Sequence, residues 1–523
     1  MSNDVRPELA NLQARLSRTL DEVRVKATDK RHAKGYRTAR ENLADLVDAD
    51  SFIEYGQLAV AAQRNRFDYE DLQIRTAADG VITGVGTINR NYFGRDNSRA
   101  AVVVYDYAVL AGTQGFYHHK KLDRIFELAE ECELPMVMYT EGGGGRPGDT
   151  DIKTLIAGLN YNSFYAWARL SGLVPRIAIN NGYCFAGNAA LFGCADITIA
   201  TRSSWIGMAG PAMIEGGGLG VFKPTEIGPI DVQEKNGVVD VVAENEADAT
   251  ATAKKLLSYF QGTLDDWSCT DQTSLRDIVP RNRRRAYPVR RVIEVLADVD
   301  SFIELRRAYG PGVVTGFLRL EGKPVGLIAN DCMQMGGAVD AEAAEKAARF
   351  LQLCDAFELP IISLTDTPGF MVGPDSEKQA AVRRMSRMFV AGASMTVPIV
   401  AIFLRKGYGL GAMAMVGGSF ATPVYAVAWP TGEFGGMGLE GGVQLGYKKE
   451  LELVVDKTER EELFEKLVEK MYEEGRATET AANLEIDAVI DPADTRKVIS
   501  IALTSAPKTK FSHRKRRNFV DVW

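Results

Sequence analysis

The sequence lacks most of the features that mark common catalytic classes. Its 523 residues include four histidines and six cysteines, with no C-x-x-C pair, so neither a zinc ribbon nor a dithiol redox site is indicated. Basic residues (62) are outnumbered by acidic ones (69), whereas nucleic-acid-binding domains are basic. There is no G-x-x-x-x-G-K-[ST] phosphate loop and no G-x-S-x-G nucleophile turn. We therefore expect no metal site, no nucleic-acid partner and no serine nucleophile.

Long uninterrupted hydrophobic runs are also absent. Two uncharged stretches, residues 177–195 and 407–432, approach the ~20 residues of a membrane span, but Gly, Asn, Ser, Thr or Pro interrupt them. We predict buried core elements with glycine turns and no membrane partner. Sparse cysteines are typical of a reducing compartment, and residues 1–23 do not resemble a secretory signal. We therefore expect a cytoplasmic protein.

Glycine is the residue in excess. It makes up 50 of the 523 residues, about 10%, against a usual ~7%. Because glycine is entropically costly inside regular elements, the excess needs a structural reason. Four glycine-rich segments contain much of it, at residues 141–149, 181–193, 366–370 and 406–415.

The sequence repeats itself over a long period. DADSFIEY (residues 48–55) recurs as DVDSFIEL (residues 298–305). The Glu-Leu-Pro segment at Glu133 recurs at Glu358, an offset of 225 residues (358 − 133 = 225). This period is far longer than the repeats of solenoid proteins, so the repeat indicates two copies of a whole domain.

The offset predicts how the chain divides. Gly182-Tyr183 and Gly407-Tyr408 share the offset of 225 (407 − 182 = 225). We predict an N-terminal domain over residues 1–270, which includes a helical lead-in, and a C-terminal domain over residues 271–523. Residues 7–29 are predicted to form one helix that packs on a neighbouring subunit.

Each copy has the same order of predicted elements. An amphipathic helix (residues 122–133 and 344–358) is followed by Leu-Pro, a short β-branched run and a glycine turn. A further helix and a further strand follow, as the apolar periodicities indicate. Alternation of strand, turn and helix is typical of a layered α/β fold.

The glycine turns are the candidate chemical sites. Backbone N–H groups at a helix start bind anions, and removing one oxyanion donor typically costs ~3–4 kcal/mol. The alternative is that these glycines only form tight turns. The occurrence of the same turn at the same place in both copies makes an anion-binding or oxyanion role at least as favourable an interpretation. Side-chain candidates are weaker, because each is explained by capping or core packing: Glu141, Glu215, Glu433, Glu440 and Cys184. The chemistry is therefore expected to rely on backbone donors.

Longer motifs resemble a known family. EKAARFLQLCDAFELPIISLTDTPGFMVG (residues 345–373), RKGYGLGAMAM (405–415) and RTARENLADLVDADSF (37–52) resemble the carboxyltransferase (beta) subunits of biotin-dependent acyl-CoA carboxylases. ADITIATRSSWIGMAGP (195–211) is similar to the crotonase segment after its oxyanion turn. The resemblance covers roughly residues 20–515 and both halves.

The resemblance implies an architecture and partners. It implies two crotonase-like ββα-superhelix domains in one chain, assembled as a homo-hexamer, with active sites between the N-domain of one subunit and the C-domain of another. The N-domain would hold the acyl-CoA and the C-domain would receive carboxybiotin. No biotinylation lysine and no ATP-binding region are found, so biotin carboxylase and the biotin carboxyl carrier are expected to be other chains.

The resemblance also implies site residues. It places the N-domain oxyanion pair at Ala186 and Gly187, and the C-domain pair at Gly411 and Ala412, or at Leu410 and Gly411 if the motif is aligned directly. Some family members carry Asp at the position of Met413, where acyl-chain choice is influenced. The remaining assignments are Gly143, Gly144, Gly369, Phe370, Tyr408 and Leu410 for the cofactor, and Gly145, Arg146 and Met413 for the substrate.

The implied reaction needs no side-chain base. Carboxybiotin would release CO₂, its ureido nitrogen would take the α-proton of the thioester, and the enolate would attack CO₂. One oxyanion hole would hold the enolate and the other the ureido oxygen. Two alternatives stay open, namely a decarboxylase that runs the transfer from acyl-CoA to biotin, and a non-catalytic scaffold. The basic segment at residues 508–519 is interpreted as a solvated terminus or an oligomer contact.

Overall fold

Two compact units make up the protein. The computed structural model describes residues 6–152, 160–506 and 519–522. Unit 1 contains the described residues through Gly262 together with 519–522, and unit 2 contains those from Thr263 to 506. The division lies eight residues before the boundary predicted at 270. In unit 2 the N–H of Leu264 donates to the carbonyl of Gly322 (3.0 Å), which ties this segment to the second sheet.

Unit 1 is built from nine strands and eleven α-helices among its described residues. The strands are β1 (Ile53–Tyr55), β2 (Val81–Thr87), β3 (Arg99–Tyr105), β4 (Met136–Tyr139), β5 (Arg176–Asn180), β6 (Tyr183–Phe185), β7 (Ile197–Thr201), β8 (Trp205–Gly207) and β9 (Val241–Ala243). The helices are α1 (Pro7–Ser17), α2 (Val25–His32), α3 (Ala39–Leu46), α4 (Tyr69–Arg75), α5 (Arg90–Asn97), α6 (Phe116–Glu131), α7 (Ser163–Arg169), α8 (Gly187–Gly193), α9 (Pro211–Gly216), α10 (Ile230–Gln233) and α11 (Glu246–Ser258).

Unit 2 contains eight strands and ten α-helices in the part of the chain that the structure describes. The strands are β10 (Ile303–Leu305), β11 (Val313–Leu320), β12 (Lys323–Asn330), β13 (Ile361–Thr367), β14 (Ile399–Tyr408), β15 (Tyr425–Ala428), β16 (Glu433–Gly435) and β17 (Ala488–Val489). The helices are α12 (Val289–Leu296), α13 (Ala341–Ala356), α14 (Pro374–Lys378), α15 (Ala381–Ser394), α16 (Gly409–Met415), α17 (Leu439–Gly446), α18 (Lys448–Leu453), α19 (Lys457–Glu474), α20 (Ala477–Ala482) and α21 (Thr495–Ser505).

The two main sheets have matching topology. The first runs β1-β2-β3-β4-β5-β7-β9 and the second β10-β11-β12-β13-β14-β15-β17. The first three strands of each sheet pair antiparallel and the later ones pair parallel. A parallel pair, β6 with β8 in unit 1 and the end of β14 with β16 in unit 2, leads into the next helix. The predicted α/β fold class is therefore confirmed.

The core of each unit follows from the strand sequences. The middle strands β4, β5 and β13 are buried along their whole length, because parallel strands covered on both faces are nearly continuous apolar runs. In unit 1 the apolar side of α6 packs on this layer through Leu122, Ile125 and Phe126. These residues recur at three and four positions, as a helix with one buried face requires.

Of three expectations about the chain termini and hydropathy, two concern residues that the structure describes. The single lead-in helix predicted over residues 7–29 is wrong, since α1 ends at Ser17 and α2 begins at Val25. Arg24, in the intervening turn, forms a buried ion pair with Asp106 (2.6 Å), which draws the chain toward the sheet. The basic residues 508–518 lie outside the described residues. Among the described helices, none is long and apolar enough to cross a membrane.

Candidate functional site

A strained turn follows the same strand in both units. After β3, the backbone has positive φ at Leu110, Ala111 and Gly112, and after β12 it has positive φ at the three residues from Met335 to Gly337. A Cβ added to Gly112 would lie 2.4 Å from the carbonyl oxygen of Glu141. A Cβ added to Gly337 would lie 2.3 Å from that of Asp366. Glycine is therefore required at both positions.

A second turn opens the helix that faces each strained turn. Ala186 has φ +53° and its N–H donates to the carbonyl of Gly207 (3.1 Å), so this predicted donor is engaged within unit 1. Gly187 begins α8, and the first amides of a helix have no intrahelical partner. In unit 2 the residue with positive φ is Gly409 (+59°), and Leu410 follows it in α16.

Strand pairing corrects the register of the repeat. Arg176 pairs with the first residue of β4 as Ile399 pairs with the first residue of β13, an offset of 223 (399 − 176 = 223). Phe185 and Tyr408 likewise occupy equivalent places in β6 and β14. The offset of 225 predicted at Gly182-Tyr183 is therefore wrong in this segment. The connection between β4 and β5 is two residues longer than its counterpart in unit 2.

The corrected register changes which residues are equivalent. With an offset of 223, Gly187 corresponds to Leu410, and Ala189 corresponds to Ala412. Ala412 is fully buried, whereas Leu410 is 61% exposed at the start of α16. The same register places the equivalents of Ala186 and Gly187 at Gly409 and Leu410, so it shares Leu410 with one of the two C-domain pairs left open by the sequence and matches neither pair in full. Gly411 packs tightly, because its Cβ would lie 2.5 Å from the carbonyl carbon of Gly369.

The glycines after β4 are mostly engaged in internal contacts. The N–H of Gly143 donates to the carbonyl of Ala111 (3.1 Å). The N–H of Gly144 donates to Oδ1 of Asn188 (3.0 Å). Gly145 is exposed and forms a parallel bridge with Gln114. Gly143 and Gly144 thus join the strained turn to α8.

The residues of unit 2 that were assigned to the cofactor, Gly369, Phe370 and Tyr408, differ in how deeply they are buried. The N–H of Gly369 donates to Oγ1 of Thr367 (3.1 Å). Phe370 is half-buried and its ring lies 6.2 Å from that of Phe389. Tyr408 is buried and packs with Leu439 and its neighbours in a small apolar cluster, so its ring faces away from solvent.

Arg146, predicted to bind substrate, lies in a buried ionic network. Its guanidinium bonds to Asp79 and to Asp149 (2.8 Å), and its side chain is 6% exposed. Asp149 also accepts the N–H of Phe116, and Asp79 that of His118, at the start of α6. Burial raises the pKa of Asp79 to about 6. The network therefore caps α6, and the charge of Arg146 is already compensated.

A buried carboxylate precedes the glycine turn in each unit. Glu141 accepts two hydrogen bonds from Arg31 (2.7 and 3.0 Å), and burial raises its pKa to about 7 although Arg31 opposes the shift. Asp366 pairs with Arg405 (3.0 Å) and lies 3.6 Å from Nζ of Lys406. Lys406 also donates to the carbonyl of Gly336 in the strained turn. Among the described residues, no three His, Cys, Asp or Glu side chains cluster as metal ligands do.

Unit 1 has a cavity of about 570 Å³ that motif analysis missed. It extends from the strained turn at Leu110 and Ala111 to α2 and the segment after it. Arg31 stacks over the ring of Tyr36 (4.7 Å), and Tyr183 stacks on Trp205 (4.9 Å). Cationic and aromatic side chains line the mouth, namely Lys30, Arg31, Lys34, Tyr36, Tyr107, Tyr183 and Trp205. The only sequence signal was the basic run DKRHAK that ends at Lys34.

Unit 2 has a cavity of about 630 Å³ beside α16. Met413 lines it together with Phe420, Phe434 and Leu484. Glu474 and Glu485 are at its polar edge. The side chains that line this cavity beside α16 are therefore a mixture of apolar and acidic groups.

Sequence relatives of known type match nearly the whole chain. The carboxyl transferase domain family matches residues 30–519. The 12S subunit of methylmalonyl-CoA carboxyltransferase from Propionibacterium freudenreichii subsp. shermanii is 34% identical over 491 residues, or 91% of this chain and 89% of that protein. The propionyl-CoA carboxylase beta chain of Saccharopolyspora erythraea is 31% identical over 519 residues, or 95% of this chain and 92% of that one.

Solved structures agree. A single-chain, multi-domain long-chain acyl-CoA carboxylase is 56% identical with a TM-score of 0.91 over 95% of this chain, which spans 49% of that larger protein. The transcarboxylase 12S subunit, solved as a hexamer assembly with methylmalonyl-CoA, has a TM-score of 0.82 at 30% identity and covers 98% of this chain and 97% of that one. These likenesses confirm the predicted tandem crotonase-like fold.

Proposed function

The chain belongs to the carboxyl transferase family and is a carboxyltransferase of the acyl-CoA carboxylase type. We propose that it moves a carboxyl group from carboxybiotin to the α-carbon of a long-chain acyl-CoA. Unit 1 is proposed to bind the acyl-CoA and unit 2 to receive carboxybiotin. One observation carries the proposal: both units have the same strained turn beside a helix start, with bare backbone at Gly112 and Gly337.

The proposed oxyanion donors are backbone amides. In unit 1 they are the N–H groups of Gly187 and Ala111, since the amide of Ala186 is bonded to Gly207. Asn188, the second residue of α8, tethers the turn through Nδ2 to the carbonyl of Gly112 (3.4 Å). In unit 2 the equivalent amides are those of Leu410 and Gly336. Two fixed donors aimed at a developing negative charge are the largest single contribution to many acyl-transfer reactions.

Unit 2 has a site that fits a flat ureido group. Its turn is bare backbone at Gly336 and Gly337, and Gly411 packs directly on the backbone of Gly369 and Phe370. Lys406 adds a cation at the same turn. When bound, carboxybiotin supplies the carboxyl group and the nitrogen base, and the amides of Gly336 and Leu410 would hold the ureido oxygen. The protein then needs to position the reactants and hold charge.

Unit 1 has a cavity that fits coenzyme A. Lys30 and Lys34 present positive charge, which suits phosphate groups, and the stacked rings of Tyr183 and Trp205 suit a planar base. The cavity reaches Ala111, so a thioester bound there would extend toward the proposed donors. This cavity therefore supports the assignment of acyl-CoA to unit 1.

The acyl chain is proposed to bind at Met413. The cavity there is about 630 Å³ and includes the apolar side chains of Phe420, Phe434 and Leu484, and each buried CH₂ contributes about 0.8 kcal/mol. Met413 occupies the position at which some family members carry Asp. The 56% identical single-chain protein is a long-chain acyl-CoA carboxylase, and the beta4 subunit of a biotin-dependent long-chain acyl-CoA carboxylase from Mycobacterium tuberculosis is 32% identical.

The proposed partners are a biotin carboxylase and a biotin carboxyl carrier, and the proposed assembly is a homo-hexamer. The support is that the mycobacterial relatives are beta subunits of biotin-dependent carboxylases and that the 12S neighbour was solved as a hexamer. In such an assembly unit 1 of one subunit would meet unit 2 of another.

Reconstitution tests the function. The chain is mixed with a biotin carboxylase, a biotinylated carrier, MgATP and labelled bicarbonate, and acyl-CoAs from acetyl-CoA to palmitoyl-CoA are compared. We expect acyl-CoA-dependent label incorporation that is greatest with long chains. No incorporation with any acyl-CoA, while the carrier itself is carboxylated, would refute the proposal. Faster transfer from a malonyl-type thioester to biotin would favour the decarboxylase alternative instead.

A further inference from the structure

The strained turn of unit 1 is held by backbone amides. The N–H of Gly143 donates to the carbonyl of Ala111 (3.1 Å), the middle residue of the turn. The N–H of Gly112, which belongs to the same peptide group as that carbonyl, donates to the carbonyl of Val109 (2.9 Å). Both ends of the peptide group that follows Ala111 are therefore fixed by neutral hydrogen bonds.

Unit 2 cannot form the first of these bonds, because a proline occupies the position of Gly143. Residues 142–145 and 367–370 lie at the same place in the two units, since both ends of each segment form corresponding bridges. These bridges are Gly142–Cys184 and Gly145–Gln114 in unit 1, and Thr367–Gly407 and Phe370–Val339 in unit 2. Pro368 is therefore the counterpart of Gly143, and proline has no backbone N–H to donate.

The side chain of Lys406 takes the place of the missing amide. Its Nζ donates to the carbonyl of Gly336, which is the counterpart of Ala111. The N–H of Gly337 donates to the carbonyl of Gln334 (2.8 Å). The peptide group that follows Gly336 is thus held at both ends, as in unit 1, but one of its two donors is now an ammonium group.

The exchange places a positive charge where unit 1 has a neutral amide. Nζ of Lys406 lies 3.6 Å from Asp366, but that carboxylate also pairs with Arg405 (3.0 Å), so the three groups carry one net positive charge. A Cβ built on Gly336 would lie 3.9 Å from Nζ, so the charge lies beside the residue whose amide is a proposed donor. Tyr183 occupies the position of Lys406 in unit 1.

The ammonium group has capacity for a further partner. It has three N–H donors, of which the carbonyl of Gly336 accepts one. The side chain of Lys406 is 17% exposed, so it is accessible to a ligand at the turn. The difference between the units therefore suits a ligand that carries or gains negative charge in unit 2.

We propose that Lys406 makes the turn of unit 2 selective for an anionic ligand, because its ammonium group holds the peptide after Gly336 and leaves its charge beside the ureido group of carboxybiotin. The proposal rests on the proposed function, since it requires biotin at this turn. In the transfer the C–N bond of the N-carboxy group breaks, CO₂ leaves, and the electron pair stays on the ureido group until that group takes the α-proton of the thioester. Negative charge thus moves toward the turn, and a nearby cation favours this shift.

The test uses the full chain in the reconstituted system, with thermal unfolding measured on every variant. Lys406→Met removes both the donor and the charge, so kcat should fall about 100-fold and the unfolding temperature by about 3 °C. Adding Pro368→Ala to Lys406→Met restores a backbone N–H that can reach the carbonyl of Gly336. This double variant should recover most of the unfolding temperature, while kcat stays at least about 10-fold below the wild type because the restored donor is neutral.

Two further variants separate charge from packing. Lys406→Arg keeps a charged donor, so kcat should stay within about 5-fold of the wild type. Lys323→Met removes an exposed lysine at the start of β12 and should change neither kcat nor the unfolding temperature. In Lys406→Met, KM for the carboxylated carrier should change less than about 5-fold, because the charge acts mainly on the transition state.

Each outcome decides the proposal. A double variant that regains stability without regaining turnover supports the role of charge. A wild-type kcat in Lys406→Met, equal losses in the Met and Arg variants, or full recovery of kcat in the double variant would overturn it. A double variant that regains neither property would overturn the equivalence of Pro368 and Gly143. An inactive wild type would overturn the proposed function itself, whereas an active wild type with insensitive variants overturns only the role of Lys406.

Discussion

The two units have the same backbone turns but different side chains around them. Glu141 and Asp366 occupy equivalent places before the glycine turn, yet the counter-charge of Glu141 comes from Arg31 in α2, whereas that of Asp366 comes from Arg405 in the adjacent strand β14. Gly187 in unit 1 corresponds to Leu410 in unit 2. The duplication has therefore kept the donors that need backbone and changed the groups that select a ligand.

The contrast between shared backbone turns and different side chains suggests that backbone groups serve catalysis and side chains serve ligand recognition. Backbone amides hold an oxyanion whatever side chain they carry, so the same turns can serve a thioester in unit 1 and a ureido ring in unit 2. The side chains around the turns differ between the units: Lys30 and Lys34 line the cavity of unit 1, and Met413 lines that of unit 2, and both cavities are proposed to contact the acyl-CoA. Variants that affect only one unit test this division.

The largest effect is expected from filling the strained turns. Gly112→Ala and Gly337→Ala each place a Cβ within 2.4 Å of a backbone oxygen at positive φ. We expect each to lower the unfolding free energy by about 3 kcal/mol and kcat by at least ~100-fold. Thermal unfolding and reconstituted turnover are measured together.

Two glycines with open space provide the controls. Gly193→Ala in unit 1 and Gly438→Ala in unit 2 meet no atom within 4 Å, so both are expected to keep stability and turnover. If Gly112→Ala were damaging and Gly337→Ala harmless, the turns would not be functional equivalents.

Chain-length choice is expected to respond only in unit 2. Met413→Asp places a carboxylate in the cavity of unit 2, so the kcat/KM ratio of palmitoyl-CoA to acetyl-CoA should fall about 30-fold. Ala190, the equivalent residue of unit 1, provides the control as Ala190→Ser, which should leave the ratio unchanged. An unaltered ratio in Met413→Asp would place the acyl chain elsewhere.

Coenzyme A affinity is expected to respond only in unit 1. Lys30→Ala combined with Lys34→Ala removes two cations from the cavity mouth, so KM for acyl-CoA should rise about 10-fold at unchanged kcat. Lys26→Ala changes an exposed lysine of the same helix outside the cavity and should have no effect. A rise in KM for the carboxylated carrier instead would show that the cations bind the partner protein.

The smallest effect is a pH dependence of substrate binding. Burial raises the pKa of Glu141 from 4.5 to about 7, so protonation between pH 8 and 6 releases the charge of Arg31 toward the cavity. KM for acyl-CoA is then expected to be about 3-fold lower at pH 6. Glu141→Gln should show no such change, and a pH dependence that persists in this variant would contradict the explanation.

Stability provides a second measurement of the same group. Because the folded-state pKa of Glu141 lies above its unfolded value, the unfolded chain loses its proton first as the pH rises. The wild type should therefore lose stability relative to Glu141→Gln between pH 4.5 and about 7, and the difference should be constant above that range.

Local patterns in the sequence were sufficient for the fold class and the turns. The β-branched runs, the Leu-Pro helix ends and the paired glycine segments predicted an α/β fold with bare backbone at strand ends. Gly187 begins α8 and Gly409 begins α16, each directly after a glycine-rich strand end. These features depend on neighbours in sequence, which is why they could be inferred.

Contacts between distant segments could not be inferred. The resemblance implied a substrate role for Arg146, but its ion pair with Asp79, 67 residues away in the sequence, could not be inferred. The cavity lined by Arg31 forms because α2 packs near Glu141, which lies 110 residues later in the sequence. No local pattern indicates this contact. The offset of 225 does not hold at Gly182-Tyr183, because a chance Gly-Tyr match concealed a two-residue difference in connection length.

The most direct test removes one backbone N–H and leaves the fold. Leu410 is exposed in the first turn of α16, where proline is tolerated because that amide has no intrahelical partner. Leu410→Pro deletes the proposed donor, and Leu410→Ala removes the same side chain but keeps the N–H. We predict a kcat about 100-fold lower for Leu410→Pro than for Leu410→Ala in reconstituted carboxyl transfer, with both variants folded. Equal turnover in the two variants would contradict catalysis by backbone donors.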